Sequence, residues 1–383
     1  MTTLAEHLGS RKLSWDAAAK KSGVSAERLR AVAAGADASL GEMRKIAGAL
    51  RLPLSAIVED PQDEPIKLLF RQTLGQQTAT AASSVDAVSG QIRDVLAFAT
   101  EAGIPRNVGW LDLFRGMQPS IDSAEGMANL FRRAYASLAD EEPFTNLCQV
   151  LADELGVFVV FSRDATVEGV SAILDGYALV LVAARTFAPR TLFTLAHELG
   201  HLVAHHAGRE SGYALLDLER DVGGIRAPRR DEEKFADAFA SALLLPKKGV
   251  LLALKEFRAQ LNASGALGDV EILALARFFG VSFEVAARRC ESLGLLPPQG
   301  ARALYQQLTA VHRNPERRAD EIGLPVREPI DVSVSSALIA AAVRMVRSGA
   351  VSIGRAAETL NIPVSALYAA NAGTVDFHPE VIH

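Results

Sequence analysis

A mainly helical α+β fold, with an N-terminal helix-turn-helix bundle ahead of a helical domain that carries a small sheet, is what this sequence predicts. Three local patterns carry the prediction. Residues 14–34 read as a helix, a Gly-Val-Ser turn and a second helix. Two runs of β-formers meet at Asp175-Gly176, a strong hairpin signal. A proline-free apolar segment holds His197, Glu198 and His201 in the spacing His-Glu-x-x-His.

Composition narrows the class. With 383 residues and a formal charge of −5, the chain is long enough for more than one domain and too near neutral to coat nucleic acid broadly. Cys148 and Cys290 make no disulfide framework, which points to a reducing compartment. No basic, apolar and small-residue leader opens the sequence, and no apolar run reaches about eighteen residues. The expected location is the cytoplasm, with no membrane partner.

Residues 1–58 justify the bundle. Ser14 can cap the first helix and Gly23 end it, Ser25 opens a second helix to Ala34, and residues 39–50 form a third with Leu40, Met43, Ile46, Ala47 and Leu50 on its apolar face. This stretch is similar to the Xre/Cro-type helix-turn-helix domain. The resemblance makes the helix after Ser25 the recognition helix and duplex DNA a partner, with Arg28 and Arg30 available to phosphates or guanine edges. The same helix is rich in alanine and has no Asn or Gln for adenine, so a protein-docking or dimerisation module stays open.

Residues 59–140 read as linker and a helical middle region, with helices at about 85–101 and 124–138 and no assignable chemistry. Residues 141–300 then bring a helix at 145–155, a strand at 157–161 and the hairpin at 171–182. Tyr177–Val182 is the candidate edge strand for pairing with an extended substrate, although its Val and Leu content equally suits burial.

At 3.6 residues per turn, His197 and His201 share a helix face, so both imidazoles can reach one metal at about 2.0–2.1 Å. Glu198, beside them, is placed to take a proton from an attacking water. A catalytic zinc keeps three protein ligands. The helical run that Pro246 stops offers Glu233 as the third, and Asp237, one turn on, can accept a hydrogen bond from the other ring nitrogen of a ligand histidine.

The block from Arg190 to His205, followed by Glu233-x-x-Ala-Asp237-x-Phe-Ala-x-x-Leu-Leu-x-Pro246, resembles the ImmA/IrrE family of zinc metallopeptidases. Its likeness spans roughly residues 140–300, and the family usually carries Asn where Asp237 stands. The resemblance implies a zincin-like peptidase domain with Zn2+ as cofactor, and a supporting position for His205. It also implies an intracellular endopeptidase that cleaves a helix-turn-helix repressor to switch on a stress, mobile-element or phage-defence response. Single-stranded DNA is the activator it suggests. The Gly- and Arg-bearing loop at 207–230 is where Arg226, Arg229 and Arg230 would meet that strand.

Two later segments repeat the helix, turn, helix pattern. Residues 269–296 read as part of the peptidase fold, and residues 351–368, within a helical C-terminal region at 301–383, read as structural support because Arg355 is the one nearby cation. The competing class is a helix-turn-helix DNA-binding transcriptional regulator or antitoxin whose metal site is structural or inactive. Glu198 separates the two, since a purely structural site needs no general base.

Overall fold

Among the described residues, three short helices belong to the first of two units, Met1–Ile66. Ser14 accepts a hydrogen bond from the Ala17 amide at 3.2 Å and starts α1 (Trp15–Ser22), which Gly23 ends at φ 68°, a left-handed turn suited to glycine. α2 (Ala26–Ala33) and α3 (Leu40–Leu50) follow. At the start of α3 the Ser39 amide donates to the Glu42 carboxylate and the Glu42 amide donates back to the Ser39 hydroxyl, a reciprocal cap. Ala18, Val24, Leu29, Ile46 and Leu50 close a small core, with Trp15 packed on its side. Both cations considered for DNA have partners inside this bundle. Arg28 pairs with Glu42 at 2.8 Å, and its hydrogen bond is the main reason the Glu42 carboxyl falls to about 2. Arg30 lies 5.8 Å over the Trp15 ring.

The computed structural model describes residues 8, 13–33, 38–50, 66, 70, 79–139, 141–205, 212–218, 231–260, 262 and 264–372. Most of these belong to the second unit, Lys67–His383. Its described elements include α4 (Ala79–Glu101), a 3₁₀ turn at Gly109–Phe114, and α5 (Ile121–Phe131), which continues through a π-wound turn over Arg132–Ala136. The short α6 (Leu147–Gln149) also runs on into a π turn, Val150–Glu154.

The sheet comprises β1 (Phe158–Phe161), β2 (Val167–Leu174), β3 (Tyr177–Val182) and β4 (Tyr213–Leu218), in the order β1-β3-β2-β4. β1 runs parallel to β3, and the other pairs are antiparallel. Asp175 and Gly176, at φ 50° and 78°, form the tight turn of the β2–β3 hairpin.

Two expectations are corrected here. β3 is an interior strand, not an edge, and all six of its residues are buried, so its Val and Leu content reflects cover on both faces. The span 207–230 is not one loop, because β4 lies within it and pairs with β2 from Ile173–Tyr213 to Gly169–Asp217. Arg226, Arg229 and Arg230 lie outside the described residues. At β1 the outer edge is taken by Ser335, whose amide donates to the Val159 carbonyl and whose hydroxyl accepts from the Val159 amide. β4 forms the opposite edge.

One face of the sheet, with Ile173, Ala178, Val180, Val182 and Leu215, packs into the main core alongside α7 (Ala188–Ala204) and α8 (Asp231–Leu244). Then come α9 (Lys247–Gln260), α10 (Asp269–Phe278), α11 (Phe283–Ser292), α12 (Gly300–His312) and α13 (Pro315–Glu321). The α10–α11 corner buries Ile272, Leu275, Phe283 and Ala286 in that same core. α14 (Ser336–Arg347), α15 (Ile353–Leu360) and α16 (Val364–Ala372) finish the described chain. They are tied to the end of β1: Asn361 donates to the carbonyls of Phe161 and Ser162 at 3.1 Å, and Arg163 donates to the Glu358 carbonyl at 2.6 Å. No helix among the described residues is long and apolar enough to cross a membrane.

Candidate metal centre

α7 starts with Pro189 in its first turn, where a missing N–H costs nothing, and is buried along nearly its whole length. Gly200 sets how close it comes to α8. A Cβ at that position would stand 3.0 Å from the Ala236 Cα, so the two helices touch backbone to backbone where the motifs meet. The far end of α8 is held by cations on its last carbonyls. Arg132, fully buried, donates to the Leu243 carbonyl at 2.9 Å, and Arg289 donates to the Leu245 carbonyl at 2.8 Å.

This packing gathers four ligand-type side chains. His197, His201, Asp217 and Glu233 each direct one ligand atom to a common point, all within 4.8 Å of one another. The Nε2 atoms of His197 and His201 face each other at 3.0 Å, and Glu233 lies 3.6 Å from the first and 3.5 Å from the second. Asp217 reaches His197 Nε2 at 3.1 Å. On the other side of the His197 ring, Nδ1 sits 3.0 Å from the Asp237 carboxylate, the arrangement that fixes the tautomer and orientation of a ligand imidazole.

The residues fit a divalent cation of zinc's kind. Two buried imidazole nitrogens pointing at each other, flanked by two carboxylates, form a donor set of that chemistry. The protein groups alone divide protons unequally. Burial opposes charge on His197, yet hydrogen bonds to Asp217 and Glu233 raise it to about 10, while burial and the His197 charge press His201 down to about 3. A bound cation would replace such protons.

Glu198 is wholly buried beside the cluster, and neither of its oxygens meets a hydrogen-bond partner among the described residues. Burial, followed by the Asp217 charge, lifts its carboxyl well above the usual range. Its position depends on β2, since a Cβ at Gly169 would lie 2.1 Å from Glu198 Oε1. Ser171 and Tyr213, both buried, occupy the same face of the sheet as Gly169 and Asp217.

His205 caps the end of α7 and stacks on the Tyr213 ring at 4.1 Å, outside the four-residue cluster. Cys148 is likewise remote from it, since its thiol donates to the Ser333 carbonyl and burial pushes it up to about 12. Sequence reading missed Asp217, Gly169 and Tyr213. A signal was present in Tyr213-Ala-Leu-Leu-Asp-Leu, a short apolar run interrupted by one carboxylate, but the glycine- and arginine-rich flanks concealed it.

The comparison that bears on this geometry is with a peptidase family model. Residues 152–291 match the IrrE N-terminal-like domain. That match takes in the whole sheet, both motif helices and the α10–α11 corner, and so contains every residue of the cluster. Residues 337–377 match a second model, the helix-turn-helix, Psq domain, which covers α14 to α16. The late helix-turn-helix pattern is therefore a domain-level match and not only a supporting corner. No curated protein matches the chain.

Proposed function

We propose that the chain is a zinc-dependent endopeptidase that cleaves a transcriptional repressor and so switches on a stress, mobile-element or defence response. The observation that carries the reading is the convergence of His197, His201 and Glu233 from two helices with a buried Glu198 at their side, inside the IrrE-like match. His197, His201 and Glu233 would hold the zinc, and Asp237 would keep the His197 ring turned toward it. When bound, zinc supplies Lewis acidity, polarising a carbonyl and making water a better nucleophile. Glu198 does the proton work: it takes the proton of the attacking water and returns it to the leaving amine. Gly169 keeps Glu198 close to β2, and β4, the sheet edge that carries Asp217, runs past the same point.

A helix-turn-helix repressor as substrate follows from the likeness to ImmA/IrrE peptidases. The test incubates the purified chain and zinc with the repressor encoded nearest its gene, with and without chelator and with and without single-stranded oligonucleotide. Cleavage that chelator stops and zinc restores is expected; a repressor left intact in every arm contradicts the reading. The Psq match favours a second reading, a DNA-binding regulator. Salt-sensitive duplex binding by a chain that cleaves nothing is its signature.

A further inference from the structure

We propose that Asp217 is a fourth protein ligand, closing the metal site from the sheet side so that the resting centre keeps no open position. The inference rests on the metallopeptidase reading above. Zinc bonds of 2.0–2.1 Å in a tetrahedron place neighbouring ligand atoms about 3.3 Å apart. The His197–His201, His197–Asp217, His197–Glu233 and His201–Glu233 separations are 3.0, 3.1, 3.6 and 3.5 Å. These four lie close to that value, and the ligand atoms of all four residues lie within 4.8 Å of one another.

The fold aims Asp217 at this point. It pairs with Gly169 across the β2–β4 ladder, while its neighbour Leu216 is buried and, by strand alternation, belongs to the opposite face.

A zinc with four protein ligands is closed, and a catalytic one keeps a position for water or substrate. Asp217 therefore holds the enzyme latent. Opening requires one carboxylate to leave, and Asp217 is on the more easily moved element: β4 is an edge strand hydrogen-bonded to β2 on one side, with Asp217 one residue from its end, while Glu233 stands on α8, which packs against both α5 and α7. The exchange makes and breaks only coordination bonds, with the carboxylate leaving as water or a substrate carbonyl takes its place.

The test uses the full chain with zinc, and with cobalt as a spectroscopic substitute. Asp217→Ala is expected to loosen zinc at least tenfold in competition with a chromophoric chelator, to weaken the intense visible bands of a four-coordinate cobalt site, and to raise hydrolysis of a short peptide severalfold. Asp217→Cys is expected to place one sulfur at about 2.3 Å from zinc in X-ray absorption. The sulfur readout needs no activity and does not depend on the behaviour of the alanine variant. Parental zinc affinity in Asp217→Ala, with no sulfur in Asp217→Cys, overturns the assignment. Glu233→Ala run in parallel separates the two readings. Zinc loosened in Glu233→Ala but held at parental affinity by Asp217→Ala sinks the fourth ligand alone, and a parent chain that binds no zinc sinks the metal site itself.

Discussion

Glu198→Gln is expected to keep its zinc and lose turnover by about 10²–10⁴-fold, the usual weight of a general base and equivalent to about 3–5 kcal/mol of barrier. Zinc should stay because Glu198 is outside the ligand cluster. The fold should stay because glutamine has the same shape and replaces a group whose burial already disfavours charge. Metal analysis and peptide hydrolysis on the same preparation check both halves. Unchanged turnover would remove Glu198 from the chemistry, and lost zinc would make it a structural residue.

Gly169→Ala is expected to cost about 1–3 kcal/mol of stability and at least tenfold in turnover while zinc is retained. The three atoms nearest the added Cβ all belong to Glu198: Oε1 at 2.1 Å, Cδ at 2.7 Å and Cγ at 2.9 Å. The methyl group therefore strikes the base directly. A double-mutant cycle identifies the cause. In a Glu198→Ala background the clash has no target, so adding Gly169→Ala should lower the melting temperature far less than it does in the parent. Equal losses in both backgrounds would place the effect in the strand and not at the base.

The helical half of the site was legible because its information is local. His197 and His201 need only the 3.6-residue period to share a face, and Glu233 and Asp237 lie one turn apart on a segment whose apolar stripe announces a helix. In the structure Asp237 lies 3.0 Å from Nδ1 of the His197 ring. The sheet half was not legible. That β3 is interior depends on its parallel pairing with β1, a contact between segments separated by the β2 hairpin, and no window of sequence contains it. β4 was hidden for a different reason: six residues, apolar but for one aspartate and without strict alternation, carry less pattern than the glycine and arginine clusters around them. Asp217 was lost with it. Gly169 had no signature, since the need for a missing Cβ arises only when β2 meets α7. Arg28 and Arg30 look available on the helix surface, but Glu42 and Trp15, which engage them, come from α3 and α1.

Every role proposed for these residues requires that two helices of this chain bring His197, His201 and Glu233 onto a single zinc. Elemental analysis of the full-length protein, purified with zinc and dialysed against metal-free buffer, measures it most directly. About one zinc per chain in the parent, and almost none in the double variant His197→Ala/His201→Ala at an unchanged circular dichroism spectrum, is the predicted result. A parent that emerges without zinc, or a folded double-histidine variant that retains a full equivalent, would contradict it.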